Sequence, residues 1–229
     1  MMVEVELKKL NENNYYYAEA IKKLRTNVQF SGKDVKVIAF TSSLPGEGKS
    51  DVTYALAQSF SQIGKRVVIV DADIRKSVLA SRLEVNKKIE GLSDYLSGQS
   101  EFDNVLYKTN YPNLDIVFAG SFSPNPAELL EEELFGEMLE HLKNTHDYVF
   151  VDTPPVRLVT DSSIVAKYCD GIILVVEAGA ISYRVLQKVR DQLADTGTKI
   201  LGTVLNKVDM ESDGYYGKYG KYGKYGEYK

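Results

Sequence analysis

Short apolar runs alternate with stretches of helical spacing along the middle of the chain. The apolar runs predict buried strands at residues 35–41, 66–70, 114–119, 148–151, 171–176 and 199–205. Helical spacing lies between them, at residues 50–63, 127–142, 161–167 and 183–194. Because strands that alternate with helices form parallel sheets covered on both faces, the pattern predicts an α/β fold built on a doubly wound parallel sheet.

The two ends of the chain differ from this middle. Residues 15–30 have the spacing of an amphipathic helix, whereas a repeat of Gly, Lys and Tyr begins at Gly214 and has no periodicity that a core could use. We therefore predict a helical segment over residues 1–31, a single α/β domain over residues 32–210 and a disordered, tyrosine-rich tail over residues 211–229.

A glycine-rich loop follows the first of these strands and opens the next helix. It runs from Ser43 to Lys49 and Ser50, and its other residues, with the first residue after it, are Leu44, Pro45, Gly46, Glu47, Gly48 and Asp51. In a P-loop, backbone N–H groups cradle phosphate oxygens, the lysine reaches the β- and γ-phosphates, and the hydroxyl ligates magnesium. Ser43 stands where the usual pattern has glycine, but the strand–loop–helix context predicts a P-loop, and residues 45–51 of this stretch are predicted to bind ATP.

Two further strands end in carboxylates. Asp71 and Asp73 follow the run at 66–70, and Asp152 follows the run at 148–151 and precedes two prolines. The carboxyl ends of parallel strands face the ligand crevice of an open sheet, so these side chains are predicted to meet the phosphates. An aspartate at the end of an apolar strand is also the Walker B arrangement, which predicts that Asp152 binds Mg²⁺.

Composition and charge exclude several classes. The net charge of −4 argues against broad nucleic-acid binding, although the part from Gly214 onward carries +3 and the remainder −7. The single cysteine, Cys169, rules out a disulfide within the chain and suits a reducing compartment. Residues 1–9 have no apolar stretch typical of a signal peptide, and no run is long enough to span a bilayer, so we expect a cytoplasmic protein.

The three motifs together resemble the bacterial tyrosine kinases of capsule and exopolysaccharide pathways. That family combines a P-loop, three apolar residues before Asp-x-Asp-x-Arg, and three apolar residues before Asp-x-Pro-Pro, and the chain matches all three, with Arg75 completing the second. Residues 123–130 and Glu19-x-x-Lys22-x-x-Arg25 also look like family members. The resemblance covers the chain from about residue 17 to its end.

The resemblance implies an ATP-dependent tyrosine autokinase. Lys49 and Ser50 carry over as phosphate and magnesium ligands, Asp71 as the group that orients or deprotonates the attacking tyrosine, and Asp73 and Asp152 as magnesium ligands. A tyrosine hydroxyl has a pKa near 10, so a nearby carboxylate suits its proton. The family's tyrosine cluster corresponds here to the predicted phosphoacceptors Tyr215, Tyr216, Tyr219, Tyr222, Tyr225 and Tyr228.

Assembly and partners are also implied by the resemblance. Glu19, Lys22 and Arg25 match a motif linked to a homo-oligomeric ring, taken as an octamer, although Lys22 replaces an arginine and loses its fork geometry. The implied partners are a membrane activator of the polysaccharide co-polymerase type, which recruits the kinase to the inner face of the membrane, and an opposing tyrosine phosphatase. Because the chain has no predicted membrane span, it looks like the split form of the family.

Other functions remain open at this stage. An ATPase switch of the partition or division-site type has the same sheet, but those proteins carry an extra lysine where Leu44 stands and have no tyrosine tail. A GTPase is suggested by Asn206-Lys-Val-Asp209, which resembles the guanine-specificity motif, whereas the alternative places Asn206 near an adenine. For the tail itself, the alternatives are a solubilising segment and single-stranded nucleic-acid binding.

Overall fold

The computed structural model describes residues 3–8, 15–85 and 89–208. The strands are β1 (Val3–Val5), β2 (Val37–Ser42), β3 (Val67–Asp71), β4 (Leu106–Thr109), β5 (Leu114–Val117), β6 (Tyr148–Asp152), β7 (Gly171–Glu177) and β8 (Ile200–Asn206). The helices are α1 (Tyr15–Gln29), α2 (Lys49–Ser61), α3 (Leu79–Arg82), α4 (Leu92–Leu96), α5 (Phe102–Val105), α6 (Pro126–Glu131), α7 (Glu133–Thr145), α8 (Asp161–Ala166) and α9 (Tyr183–Ala194). All six predicted strands and all five predicted helical stretches are present.

One eight-stranded sheet organises the described residues, with the order β1-β4-β5-β3-β6-β2-β7-β8. Every neighbouring pair is parallel except β4 and β5, which run antiparallel. The predicted doubly wound α/β fold is therefore confirmed. The antiparallel pair of β4 and β5 lies toward the β1 edge of the sheet. The six strands predicted from the sequence form the contiguous block from β5 to β8.

Two apolar layers cover the sheet, one on each face. On β3, Val67 and Ile69 join the core shared with α1 and α2, while Val68 and Val70 join the core shared with α7 and α8. Successive residues of a strand point to opposite faces, so a fully apolar strand is what two buried faces require. This explains why the apolar runs, rather than alternating patterns, marked the central strands.

The segment before residue 32 adds a strand and a helix to the same body. β1 pairs with β4 at the sheet edge, and α1 packs on α2, where Ile21 and Val28 are buried. Arg25 Nη1 donates to the backbone oxygen of Ser59 at 2.7 Å and to its hydroxyl at 2.8 Å. The N-terminal helix is therefore anchored to the last turn of the helix that follows the P-loop.

Two differences from the sequence prediction have local causes. The single helix expected over residues 127–142 is two, because Glu132 adopts an extended conformation with φ −60° and ψ 142° between α6 and α7. The strands β1 and β4 were not predicted, since β1 has only three residues and β4 (LYKT) is apolar only in its first half, whereas the equally short β5 belongs to a longer apolar run. No helix of the described residues is long and apolar enough to cross a membrane.

Candidate active site

The P-loop connects β2 to α2 at the carboxyl edge of the sheet. Gly46 and Gly48 have φ values of 82° and 85°, in the left-handed region that favours glycine. A Cβ atom built on Gly48 would lie 2.2 Å from Nδ2 of Asn206. Glycine is therefore favoured at position 48 for two reasons: the backbone there has a positive φ, and a Cβ atom would collide with the Asn206 side chain.

A buried carboxylate braces this loop from inside. Glu47 accepts hydrogen bonds from the Ser43 hydroxyl at 2.9 and 2.8 Å and from the Leu44 N–H at 2.7 Å. Its Oε1 lies 3.3 Å from the N–H of Glu177, at the end of β7. Ser43 and Glu47 are both buried, so the serine in place of the usual glycine supplies a donor to the loop's own brace. The Glu47 side chain thus supports the loop from within.

The P-loop lysine points toward the strand ends. Lys49 Nζ lies 2.7 Å from Oδ1 of Asp152 and 3.2 Å from the Ser50 hydroxyl. Both members of the ion pair are buried. A buried carboxylate without a partner would be an uncompensated charge. The Lys49 ammonium group supplies the positive charge that the buried Asp152 carboxylate requires.

Asp71 and Asp152 are register partners on the neighbouring strands β3 and β6. The Asp71 carboxylate is buried and accepts hydrogen bonds from the Ser77 hydroxyl and, at 3.2 Å, from the Asp73 N–H. Burial, and after it the nearby charge of Asp152, raises the pKa of Asp71 well above its ordinary value. The carboxylates of Asp71 and Asp152 and the ammonium group of Lys49 therefore lie close together in the protein interior.

The loop after β3 is fixed by a second ion pair. Arg75 donates to Asp161 through Nε at 2.7 Å and through Nη2 at 2.9 Å, and Asp161 is fully buried at the start of α8. Asp73, between these groups and Asp71, has its pKa raised mainly by burial. Because the bidentate pair joins the loops that follow β3 and β6, it holds the carboxylates of both strands in register.

The end of β8 contacts the P-loop from the β7 side of the sheet. Asn206 Nδ2 donates to the backbone oxygen of Glu47 at 2.9 Å. Lys207 Nζ donates to the backbone oxygen of Gly46 at 2.7 Å and to Glu177 at 2.8 Å. The last described strand is thereby tied to the P-loop.

Comparison with known proteins identifies the family of this chain. A family model described as an AAA domain matches residues 35–205. The chain is 42% identical over 216 residues to "Tyrosine-protein kinase CpsD" of Streptococcus agalactiae, covering 94% of this chain and 91% of that protein. It is 34% identical to "Tyrosine-protein kinase YwqD" of Bacillus subtilis, covering 93% and 89%. The chain belongs to the bacterial tyrosine-protein kinases.

Solved structures agree with the sequence relatives. The kinase superposes on the chimerical protein CapA2B2 with a TM-score of 0.81 and 29% identity, over 90% of this chain and 94% of that one. The kinase domain of Escherichia coli ETK gives 0.78 and 28%, over 84% and 77%. A septum site-determining protein MinD complexed with Mg-ADP, from Pyrococcus horikoshii, gives 0.66 and 25%, over 78% and 72%. The fold is thus that of nucleotide-binding P-loop proteins.

Some of the residues predicted for the site lie together in the structure, and others do not. The structure brings together Lys49, Ser50, Asp71, Asp73 and Asp152, with the loop Pro45–Gly48 beside them. Asp51, the residue after the P-loop serine, pairs its carboxylate with Arg82 of α3. Glu19 and Lys22 form an exposed pair with each other on α1 at 2.6 Å. The six predicted phosphoacceptor tyrosines and Asp209 lie outside the described residues.

The oxygen ligands near Lys49 suit magnesium. Mg²⁺ takes one or two carboxylates together with phosphate oxygens and water, and Ser50, Asp73 and Asp152 offer a hydroxyl and two carboxylates. Among the described residues, no three His, Cys, Asp or Glu side chains gather into a metal cluster of their own. The donor set therefore fits a magnesium ion that arrives with a nucleotide.

Three residues of the kinase site were not predicted from the sequence. Ser77 bonds Asp71, Arg82 neutralises Asp51, and Asp161 binds Arg75. Ser77 and Arg82 follow the aspartate motif within a dozen residues, but no periodicity indicates which side chain turns back. Asp161 lies 86 residues after Arg75 in the sequence. The one sequence feature that could have indicated it is its place at the start of a predicted helix, since Arg75 has no evident partner nearby in the sequence.

Proposed function

We propose that this kinase transfers the γ-phosphoryl group of ATP to tyrosines in the C-terminal tail of a second copy of the chain, and thereby regulates capsular or exopolysaccharide synthesis and export. The observation that carries the proposal is the meeting of Asp71, Asp73 and Asp152 beside Lys49 at the ends of β3 and β6. Phosphoryl transfer needs chiefly alignment and charge neutralisation, which this group of side chains supplies.

Each side chain has a defined task in the proposal. Lys49 would leave Asp152 to bind the phosphates. Ser50, Asp73 and Asp152 would hold Mg²⁺, which would supply positive charge beside the phosphate oxygens. Asp71 orients the tyrosine hydroxyl and takes its proton. Its hydrogen bonds from Ser77 and from the Asp73 N–H keep the carboxylate directed, and its burial favours proton uptake.

The proposed acceptors carry their own chemistry. The tail places six tyrosines among glycines and lysines, and each phosphate adds a charge of about −1.5 to −2. Several phosphates therefore reverse the +3 charge of the tail and weaken its attraction to an acidic body. A tyrosine phosphatase would restore the starting state.

A membrane-bound activator and a ring of subunits, taken as an octamer, complete the proposal. The size of one relative supports a separate activator: this chain matches only 28% of the length of "Tyrosine-protein kinase wzc" of Salmonella typhimurium, so that protein has a large part outside the kinase. We expect the activator to recruit the kinase from the cytoplasm to the inner face of the membrane.

The decisive experiment separates donor from acceptor. A chain with all six tail tyrosines changed to Phe is mixed with a Lys49→Met chain whose tail is intact, with ATP, Mg²⁺ and the activator's cytoplasmic segment. Phosphotyrosine at residues 215–228 of the Lys49→Met chain is expected, and the Lys49→Met chain alone should give none. Lys188→Met, an exposed lysine on α9, is the matched control and should behave as wild type.

The same assay tests the other candidate functions. MinD-like proteins share the fold at 25% identity, so phosphate release without phosphotyrosine would favour an ATPase switch. Preference for GTP over ATP in competition would favour the GTPase suggested by Asn206.

A further inference from the structure

A single helical turn, α3, lies in the segment that follows β3. The N–H of Leu79 donates to the Ser77 hydroxyl oxygen at 3.1 Å, and the N–H of Arg82 donates to the backbone oxygen of Val78 at 2.9 Å. These bonds join residues 77–82 into one unit, with Ser77 at its start and Arg82 at its end. A helix of four residues is too short to be stable alone, so the position of this unit depends on tertiary contacts.

Apolar burial fixes the depth of the turn but not its rotation. Leu79 and Leu83 are buried in the core shared with α1 and α2. Because apolar burial is non-directional, it does not determine where the polar side chains of the turn point. One directional contact stands at the start of the turn, where the Ser77 hydroxyl donates to the Asp71 carboxylate. A unit held by one such contact can still rotate about it, so its orientation requires a second fixed point.

The ion pair of Arg82 with Asp51 supplies this second point. Arg82 Nη1 donates to the Asp51 carboxylate, and Asp51 lies in the first turn of α2, directly after Ser50 of the P-loop. The Tyr17 hydroxyl of α1 donates to the backbone oxygen of Asp51 at 3.4 Å, so a neighbouring helix also contacts this residue. The end of the turn is thereby attached to the helix start that carries the P-loop lysine and serine.

The pair is suited to orientation rather than to stability. The side chains of Arg82 and Asp51 are 42% and 30% exposed, and ion pairs that reach water add little to the free energy of unfolding. The hydrogen bond to Asp51 raises the pKa of Arg82, burial opposes it, and the charge of Asp152 raises it further, so the guanidinium group lies within electrostatic reach of the active site. Loss of the pair should therefore leave the fold intact and release the turn.

We infer that the ion pair of Asp51 and Arg82 positions the active site for phosphoryl transfer. By fixing the rotation of α3, it keeps the Ser77 hydroxyl on Asp71 and the carboxylate directed at the acceptor. This inference rests on the proposed function, in which Asp71 orients the tyrosine hydroxyl, and adds two positioning residues that act through Ser77. A misplacement of about 1 Å at a reacting centre can lower a rate about a hundredfold, so a released turn is costly.

Steady-state kinetics separate this role from nucleotide binding. The parent enzyme, in which all six tail tyrosines are changed to Phe, phosphorylates a synthetic peptide of residues 214–229. Arg82→Gln should lower kcat about tenfold, while the KM for ATP stays within about twofold. Arg82→Lys keeps a cation for Asp51 and should retain most of the rate. Arg190→Gln is the matched control, because it breaks an exposed Arg–Asp pair on α9 and should behave as the parent.

Combined substitutions test the route by which the pair acts. In a Ser77→Ala background, Arg82→Gln should lower kcat by no more than about a further twofold, because the hydroxyl that the pair positions is already absent. Asp51→Asn with Arg82→Gln should match the slower of the two single variants. If the effects of Ser77→Ala and Arg82→Gln simply multiply, or if Arg82→Gln has the kcat of the control, the inference is overturned.

Hydrogen exchange follows the turn without using activity. The N–H groups of Leu79, Arg82 and Leu83 are hydrogen-bonded in or beside α3. In NMR measurements on Arg82→Gln they should exchange faster than in the parent, whereas α9 exchanges as before and the melting temperature stays within about 2 °C. Asp51→Asn breaks the same pair from the other side and replaces Arg82→Gln if that variant does not fold. Unchanged exchange at these groups overturns the inference.

The failures of the two proposals are distinguishable. If the parent phosphorylates the peptide, and both Arg82→Gln and Asp51→Asn keep its kcat, the positioning role is overturned and the tyrosine kinase reaction stands. If the parent hydrolyses ATP but gives no phosphotyrosine on the peptide, the proposed function is overturned and this inference with it.

Discussion

At the scale of single residues, the orientation of Asp71 depends on a serine six positions later. The Ser77 hydroxyl donates to Oδ2 of Asp71 and accepts from the N–H of Leu79 at 3.1 Å, so its proton is directed to the carboxylate. The other oxygen, Oδ1, accepts from the Asp73 N–H. Both oxygens of this buried carboxylate are thus held by residues of the loop that follows β3.

Removing the Ser77 hydroxyl should impair transfer more than binding. We expect Ser77→Ala to lower kcat for tyrosine phosphorylation about ten- to hundredfold, because a base that is misdirected by a fraction of an ångström loses its alignment. The KM for ATP should change little, and Ser77→Thr should restore most of the rate. Steady-state phosphorylation of the tail peptide measures both constants, with the exposed Ser81→Ala as control.

The brace inside the P-loop gives a second prediction at this scale. Glu47 accepts from three donors, so Glu47→Gln turns an amide N–H₂ group toward groups that also donate. The affinity for ATP should fall about tenfold or more, since an unsatisfied buried donor distorts the loop that binds phosphate. Titration with a fluorescent ATP analogue checks this. The exposed Glu128→Gln should bind ATP as the wild type does, and equal affinities for the two variants would contradict the proposed brace.

At the scale of elements, one carboxylate fixes the starts of two strands and the end of a helix. Asp170, just before β7, accepts from the N–H groups of Lys36 and Val37 at 2.9 and 2.8 Å, and from Lys143 at 2.8 Å. Partial burial raises the pKa of Asp170, but these three donors outweigh it and leave the pKa below its ordinary value. The charged form is therefore favoured by the folded state.

The stabilisation from Asp170 should depend on pH in a defined direction. Because its folded pKa is lowered, its contribution is complete above about pH 4, the ordinary value, and is lost as the pH falls through the folded value. Asp170→Asn should lower the free energy of unfolding at pH 7 by about 1–3 kcal/mol and flatten this acid limb. Urea unfolding between pH 2 and 7 measures both effects, and the exposed Asp195→Asn should leave the acid limb intact.

How far sequence could predict the elements follows from their burial. The central strands β2, β3, β6 and β7 carry uninterrupted apolar runs because helices cover both faces, so their pattern was unambiguous. Asp71 and Asp152, which we propose for the active site, were located by the same pattern, since each ends such a strand. The strands β1 and β4, at the β1 end of the sheet, are short and carry no long apolar run. Ser77, Arg82 and Asp161 act through tertiary contacts, which no local period encodes.

At the scale of the whole molecule, the residues predicted for assembly have different surroundings. Glu19 and Lys22 pair with each other on the exposed side of α1, whereas Arg25 bonds Ser59 of α2 within the chain. Substitutions at the three positions should therefore separate assembly from folding.

Charge reversal at the exposed pair is the clean test of assembly. If Lys22 contacts a neighbouring subunit, Lys22→Glu should shift the oligomer toward monomer in light scattering, with a melting temperature within about 2 °C of wild type, as expected for a surface change. Arg25→Ala should lower the melting temperature by several degrees, because the end of α2 loses two hydrogen bonds. An unchanged oligomer in Lys22→Glu, at protein concentrations where wild type assembles, would contradict a role for this residue in the ring.

The bond between Lys207 and the P-loop has a mechanical consequence. The ammonium group that grips the Gly46 carbonyl belongs to the residue from which the rest of the chain leaves the domain, and its own backbone is held at φ 54°. A displacement of the Lys207 backbone would therefore also act on the Gly46 carbonyl, so the position of residue 207 and the shape of the P-loop are coupled by one hydrogen bond.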